Sequence, residues 1–369
     1  MGRVAKSRLL AVVITAGAVA AAVITVAVIG SRTTSAPAAG ASRGDYAYGS
    51  PRFRELVTDS YAPETSKAQE FFRWMEAGFR DRKRRSLFAK AATLNDAIGA
   101  ERLRILQAPG VAERTRLERQ AAANLHRLIK DMIPRFSLER GYEFRSVVER
   151  GERQCLLQSV LIAGLLQAMG VDAGVVMVYR NPAGEESNNG HAAVLMELPD
   201  GTDLLVDASD PEPFQQHRGV FADVRGYRFL RPRYAPHSSA ITGYLEEGDS
   251  RSVPAKDVCP LDFDFIRSQF WYYRGERVRG GILASSPTKD GLRRSEQYLR
   301  NSVEICPGNP LAVYMLGRTY LAEGRREAAL STLEQASALY SRSGWVPSGP
   351  REALARARSQ LGQPGDVRG

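Results

Sequence analysis

Residues 151–171 read GERQCLLQSVLIAGLLQAMGV. From Leu156 to Met169 apolar side chains fall on almost every face of a helical wheel, so the stretch predicts a helix buried all round, opening at Cys155 and closed by Gly170. A thiol at a helix N-terminus feels the positive end of the helix dipole and is biased toward thiolate, its nucleophilic form. A small residue packed beside leucines would also serve simply as a buried hydrophobe, so the chemistry of Cys155 depends on what the following segments bring to it.

Those segments alternate as strands do. Residues 171–179 (VDAGVVMVY) read as a strand, a polar loop runs to Gly190, residues 191–198 (HAAVLMEL) form a second strand, and residues 204–207 (LLVD) a third. The turn between the last two is Pro199-Asp200-Gly201. A three-residue turn with Gly201 in the left-handed conformation places Ala193 opposite Asp207 and His191 opposite Ser209, so His191 and Asp207 become diagonal neighbours on one sheet face. A two-residue Asp-Gly turn would shift the register by one and throw them to opposite faces.

With the longer turn, and with the cysteine helix laid on that face, thiol, imidazole and carboxylate stand in series. Cys155 is the candidate nucleophile, His191 the base, and Asp207 the group that fixes the imidazole tautomer. The order Cys-His-Asp, the glycine-led cysteine on a long apolar helix, the Met169-Gly170-Val171 passage into a strand and the strand ending Val206-Asp207-Ala208 resemble the transglutaminase-like superfamily, with its papain-like core. The resemblance covers residues 120–210. It implies an α+β fold with N-terminal helices and an antiparallel sheet, and attack of Cys155 on an amide carbonyl to give a thioester that water or an amine resolves. It implies no metal or organic cofactor. The chain departs from the family pattern at Ala192-Ala193 and Leu204-Leu205, where large aromatics are usual, and at Leu156 after the cysteine. The backbone N–H of Cys155 is the natural oxyanion donor, with Gln154 as a side-chain helper.

N-terminal to this block, residues 9–31 carry no charge, and a helix of that length rises about 34 Å, enough to span a hydrocarbon core of roughly 30 Å. Arg3, Lys6 and Arg8 precede it and only Arg32 follows closely, so the expected topology is a cytoplasmic stub (1–8), a single-pass membrane anchor (9–31) and an extracytoplasmic remainder. A cleaved signal peptide is the competing reading, with small residues at 35–40. Residues 32–65 read as a flexible tether. A domain follows over 66–245, its helical stripes marked by Phe71, Phe72, Met75 and Phe79 and by Leu117, Leu125, Leu128 and Ile129.

After Pro211 the chain is aromatic and arginine-rich without clear order, and 246–289 reads as a connecting segment. Over 290–345 Leu316, Gly317, Tyr320, Ala329, Leu333 and Ala336 fall where a tetratricopeptide repeat places its packing residues, and Leu299, Ser302 and Pro307 repeat part of that pattern 34 residues earlier. One full unit and the second helix of another are expected, capped by a less regular helix near Phe263–Tyr273, with residues 346–369 as a tail.

The net charge is +10 over 369 residues, with three cysteines. The densest basic run, residues 80–85, lacks the interleaved aromatics that stack bases, so a solvated helix face is preferred and nucleic acid is not expected as a partner. In an oxidising compartment Cys259 and Cys306 are candidates for a disulfide. Two functions remain. One is a membrane-tethered thiol enzyme acting on amide bonds of a protein or peptide substrate, as protease or acyltransferase, with a protein partner on the helical repeat. The other is an inactive module of the same fold that binds peptide within a membrane complex.

Overall fold

The computed structural model describes residues 46–82 and 90–362. The expected stub, anchor and first part of the tether lie outside the described residues, and among those described no helix is long and apolar enough to cross a membrane. The class is α+β with a largely antiparallel sheet. In chain order the elements are α1 (Pro51–Asp59), α2 (Gln69–Arg82), α3 (Leu94–Leu106), α4 (Val111–Met132), β1 (Arg135–Phe136), α5 (Phe144–Arg150), β2 (Glu152–Arg153) and α6 (Cys155–Ala168). The strands β3 (Ala173–Arg180), β4 (Glu186–Glu197), β5 (Asp203–Val206), β6 (Gly219–Asp223), β7 (Tyr227–Tyr234), β8 (Ala240–Glu246) and β9 (Ser252–Pro254) follow. Five α-helices complete the described residues: α7 (Phe263–Glu276), α8 (Lys289–Ile305), α9 (Pro310–Ala322), α10 (Arg326–Arg342) and α11 (Ser348–Gly362).

The predicted tether at 32–65 fails from Tyr46 onward. Tyr46, Phe53, Leu56, Val57 and Tyr61 are all buried, and the Tyr46 hydroxyl accepts the Val175 N–H at 3.0 Å. Composition alone missed a helix start: Ser50 caps α1, its hydroxyl accepting the Phe53 N–H at 3.2 Å, and Pro51 supplies the first-turn backbone angle.

The region after Pro211, which the sequence left unordered, closes a barrel. Strands pair in the order β5-β4-β3-β6-β7-β8, β5 returns to β8 through Asp203↔Ile241 and Leu204↔Ala240, and β9 adds to β8. Closure leaves these six strands without a free edge along the returned pairs. Side chains alternate accordingly: Val176, Val178, Ala193, Leu205, Leu230 and Ile241 fill the interior, whereas Val175, Met177, Ala192 and Val194 join the main core under α6. That alternation explains the missing aromatics after His191. Ala192 is fully buried beneath α6, whose Ser159 hydroxyl donates to the Ala192 carbonyl at 3.0 Å, and Ala193 occupies the barrel interior.

The segment taken as a connector contains α7, which pairs with α8 as α9 pairs with α10. A Cβ at Gly275 would stand 2.6 Å from Leu299 Cγ, and one at Gly317 would stand 2.8 Å from Leu333 Cγ, so each pair closes through the same glycine-against-leucine contact. The leucines lie 34 residues apart but the glycines 42, because the α7–α8 connection is longer than that between α9 and α10. The helix expected near Phe263–Tyr273 as an irregular cap is thus α7, the first helix of a hairpin that a fixed-period search does not pair with α8. The expected tail is likewise helical to Gly362, with Ala353 and Ala357 of α11 buried. None of the three cysteines is in a disulfide.

Candidate active site

The hairpin adopts the longer turn. Val194 pairs with Val206 and Leu195 with Leu205, and the loop closes where Leu198 N–H donates to Thr202 O at 2.8 Å, with Gly201 at φ +81°. His191, partway along β4, and Asp207, one residue beyond β5, therefore share a face. His191 Nε2 lies 2.8 Å from Asp207 Oδ2. The other ring nitrogen, Nδ1, is left for Cys155, whose thiol is within hydrogen-bonding reach of His191.

Cys155 is the first residue of α6, and Gln154 is the cap residue without a side-chain hydrogen bond to the helix. The first-turn amides of α6 are thus not capped by the Gln154 side chain, and a helix N-terminus favours negative charge at Cys155. Burial alone would push the thiol up, but the hydrogen bond and charge of His191, aided by the Ala192 backbone, hold it below the ordinary thiol range. Burial opposes protonation of His191, yet Asp207 and Cys155 together raise its pKa to about 11. Burial also opposes ionisation of Asp207, and hydrogen bonds from His191 and His217 overcome it and hold the carboxyl well below the usual carboxylate range. The three shifts favour a thiolate–imidazolium pair resting on a carboxylate.

Two participants were not legible in the sequence. His217, 2 % exposed, also donates from Nε2 to Asp207 Oδ2, at 2.9 Å. Asp207 Oδ1 accepts the Ser209 N–H at 2.8 Å, so the carboxylate is held from three directions. No spacing relates His217 to the other residues, since it sits in the loop leading to β6. The second is Tyr273, on α7. Its hydroxyl stands within hydrogen-bonding reach of both the Cys155 sulfur and the Gln154 side chain, and burial keeps it protonated far above the ordinary tyrosine range. Gln154 Oε1 is buried without a partner, so its amide nitrogen is the atom turned to Tyr273. Only the fold of the C-terminal helices back onto the barrel brings Tyr273 here.

His191, Asp207 and His217 also offer three potential metal ligands within 4.8 Å of one another. Their N···O separations of 2.8 and 2.9 Å are hydrogen-bond distances, shorter than the roughly 3.3 Å between neighbouring ligands of a tetrahedral zinc ion with bonds near 2.0 Å. The set fits a hydrogen-bonded relay better than a coordination shell.

The chain matches no protein-family model and no curated protein.

Proposed function

We propose that this chain is a transglutaminase-like thiol enzyme that attacks amide bonds of protein or peptide substrates. The observation that carries the reading is the series Cys155–His191–Asp207 at the start of a buried helix, with the imidazole between thiol and carboxylate. The closed barrel beside α6 and the expected order of the three residues support it. In the proposed reaction the Cys155 thiolate adds to the carbonyl carbon, and the oxyanion forms among the Cys155 N–H, the Tyr273 hydroxyl and the Gln154 amide. Collapse breaks the C–N bond, His191 gives its proton to the departing amine, and a thioester remains. Water or a second amine, deprotonated by His191, then adds to the thioester and the thiolate leaves. No step needs a metal or redox cofactor.

On the same reading residues 9–31 hold the enzyme in a membrane with its bulk outside the cytosol, and the two helical hairpins are tetratricopeptide-like units open to a protein partner on their outer face. An inactive peptide-binding module is the second reading, and one observation favours it: Cys155 is only 7 % exposed, with Tyr273 against its sulfur. Trapping separates the two. Incubated with p-nitrophenyl acetate, the enzyme gains one acetyl group on Cys155, seen by mass spectrometry of the cysteine peptide, and the Cys155→Ala protein gains none. Absence of that acyl adduct in the native protein decides for the inactive module.

A further inference from the structure

Among the described residues six large apolar side chains are exposed, and three of them, Leu103, Leu106 and Val111, fall within nine residues and are each more than half exposed. Leu103 and Leu106, three apart on α3, share one helix face. Leu106 ends α3 and Val111 opens α4, so the three side chains meet at the turn between the two helices. The rest of α3 packs inward through Leu94, Ala97, Ile98 and Ile105, which confines its exposed leucines to the end next to the turn. Arginines flank the patch. Arg104, Arg114 and Arg116 keep exposed side chains while pairing with Glu101, Glu118 and Glu113, and the first two of those carboxylates lie beneath the surface, at 9 and 1 % side-chain exposure. The outer surface is therefore aliphatic and cationic, with most of its negative charge turned inward.

The patch lies beside the place where the chain enters the described residues. The Tyr46 N–H donates to Gln167 Oε1 at 3.1 Å, near the C-terminus of α6. Arg102, next to Leu103, packs at the same place, since a Cβ at Gly170, three residues after Gln167, would stand 3.8 Å from Arg102 Cγ. The segment preceding Tyr46 thus departs beside α3, and on the reading given above it leads to the membrane-spanning residues 9–31. Farther along α4 is the active-site loop. His126 Nε2 lies 3.0 Å from the Asp210 carbonyl, fifteen residues or about 22 Å along the helix from Val111.

We infer that the α3–α4 turn is a membrane-docking surface, which seats Leu103, Leu106 and Val111 in the headgroup region of an anionic bilayer with the flanking arginines on lipid phosphates. The inference rests on the membrane location proposed above and not on the thiol chemistry. Aliphatic side chains flanked by arginines, whose apolar stems can follow them inward while the charged heads stay at the phosphates, suit a segment lying about 5–10 Å deep in the interface. A protein partner fits less well. Interface cores are enriched in aromatic residues and methionine, and each partner gives about 800 Å², far more than three aliphatic side chains supply. Seated in this way, α4 fixes how far the Asp207–Asp210 loop stands from the bilayer, so amide bonds held close to a membrane surface are the substrates within reach.

The test is tryptophan quenching in the full-length protein, reconstituted into vesicles of phosphatidylcholine and phosphatidylglycerol with and without bromine atoms on the upper acyl chains. Leu106→Trp adds a reporter at the patch to the three native tryptophans, and Leu283→Trp adds one at an exposed leucine elsewhere. The emission added by Leu106→Trp should fall about twofold or more in brominated vesicles, because the reporter then lies in the interface beside the bromines, and that added by Leu283→Trp should not change. Adding Leu103→Asp and Val111→Asp to Leu106→Trp sets two carboxylates against anionic lipid and should abolish the quenching while circular dichroism shows the fold kept. Equal Leu106→Trp emission in both vesicles, from protein that withstands an alkaline carbonate wash, would overturn the docking surface and leave the anchor standing. A blue-shifted but unquenched emission would overturn it too and give the patch to a second copy or another protein. Release of the protein by the wash would overturn the membrane reading itself.

Discussion

A single carboxylate organises the site, because Asp207 Oδ2 accepts from two histidines while Oδ1 is tied to the Ser209 amide. His191 is the member that reaches the thiol, and His217 acts on it only through Asp207. His217 is therefore a positioning residue. Truncation by His217→Ala leaves a buried carboxylate short of one donor, and a lost buried partner costs about 1–3 kcal/mol, which urea denaturation should register as a lower midpoint. The acylation rate of Cys155 should drop as well, since Asp207 is then held from two directions and His191 is less firmly aimed. His217→Gln keeps an N–H donor at similar reach and should recover part of both losses. A purely packing role would let His217→Leu do as well as the glutamine.

Elements decide whether those residues meet. The β4–β5 turn sets the register, and shortening it by deleting Pro199 should force a two-residue loop and rotate β5 by one position. Asp207 would then leave the face of His191, and the deletion variant should lose Cys155 acylation while remaining folded by circular dichroism. This much was legible beforehand: Gly201 after Asp200 marks a left-handed turn position, and local turn chemistry fixes local pairing. The hairpin packing of the C-terminal helices tests a second contact. Gly317→Ala places a methyl 2.8 Å from Leu333 Cγ, and overpacking of this kind costs about 1–3 kcal/mol. Leu333→Ala should relieve the clash, so the double mutant should be less destabilised than the sum of the singles, as a double-mutant cycle in urea would show. Sequence reading expected a helix at Phe263–Tyr273 but took it for an irregular cap and not for the repeat partner of α8, because the connection after α7 is longer than that after α9 and breaks the repeat period that revealed α9 and α10.

Over the whole molecule one apolar core runs from Tyr46 through α6 to Ala357. Tyr142 stacks on Tyr273 with ring centroids 5.5 Å apart, and Phe144 lies 5.6 Å from Phe270, so α7 is packed into the same core as the N-terminal helices. The barrel and hairpins are joined again where Phe229 stacks on Tyr340 and meets Trp345 edge-on. Sequence patterning separates these regions because it detects periodicity within a segment, and contacts such as Tyr142 to Tyr273 leave no local trace. His217 and Tyr273 escaped for the same reason, whereas Cys155 was found at its helix start and His191 and Asp207 through the β4–β5 register, although His191 lies within β4 and not at its start as the strand pattern suggested. Shared packing predicts a single calorimetric transition for residues 46–362, with calorimetric and van't Hoff enthalpies equal. Two resolved transitions would mean that the hairpins fold as a separate domain and that Tyr273 reaches the thiol only by docking.

The proposed chemistry requires Cys155 to be a thiolate at neutral pH because His191 makes it one. Iodoacetamide labelling of the full-length protein across pH, read at the Cys155 peptide and compared with His191→Ala, tests this most directly. The thiolate is the reacting form, so a thiol held below its ordinary value labels fast at pH 7 and slows only as pH falls through that lowered value. Without His191 the burial that remains pushes the thiol up, and labelling at pH 7 should fall by at least tenfold and recover only in alkali. Cys306, raised to about 11 by burial, should stay silent at pH 7 in both proteins and serves as the internal reference. A Cys155 that is equally slow at pH 7 with and without His191, or that labels only on unfolding, would contradict the account and leave this chain a binding module with a buried structural cysteine.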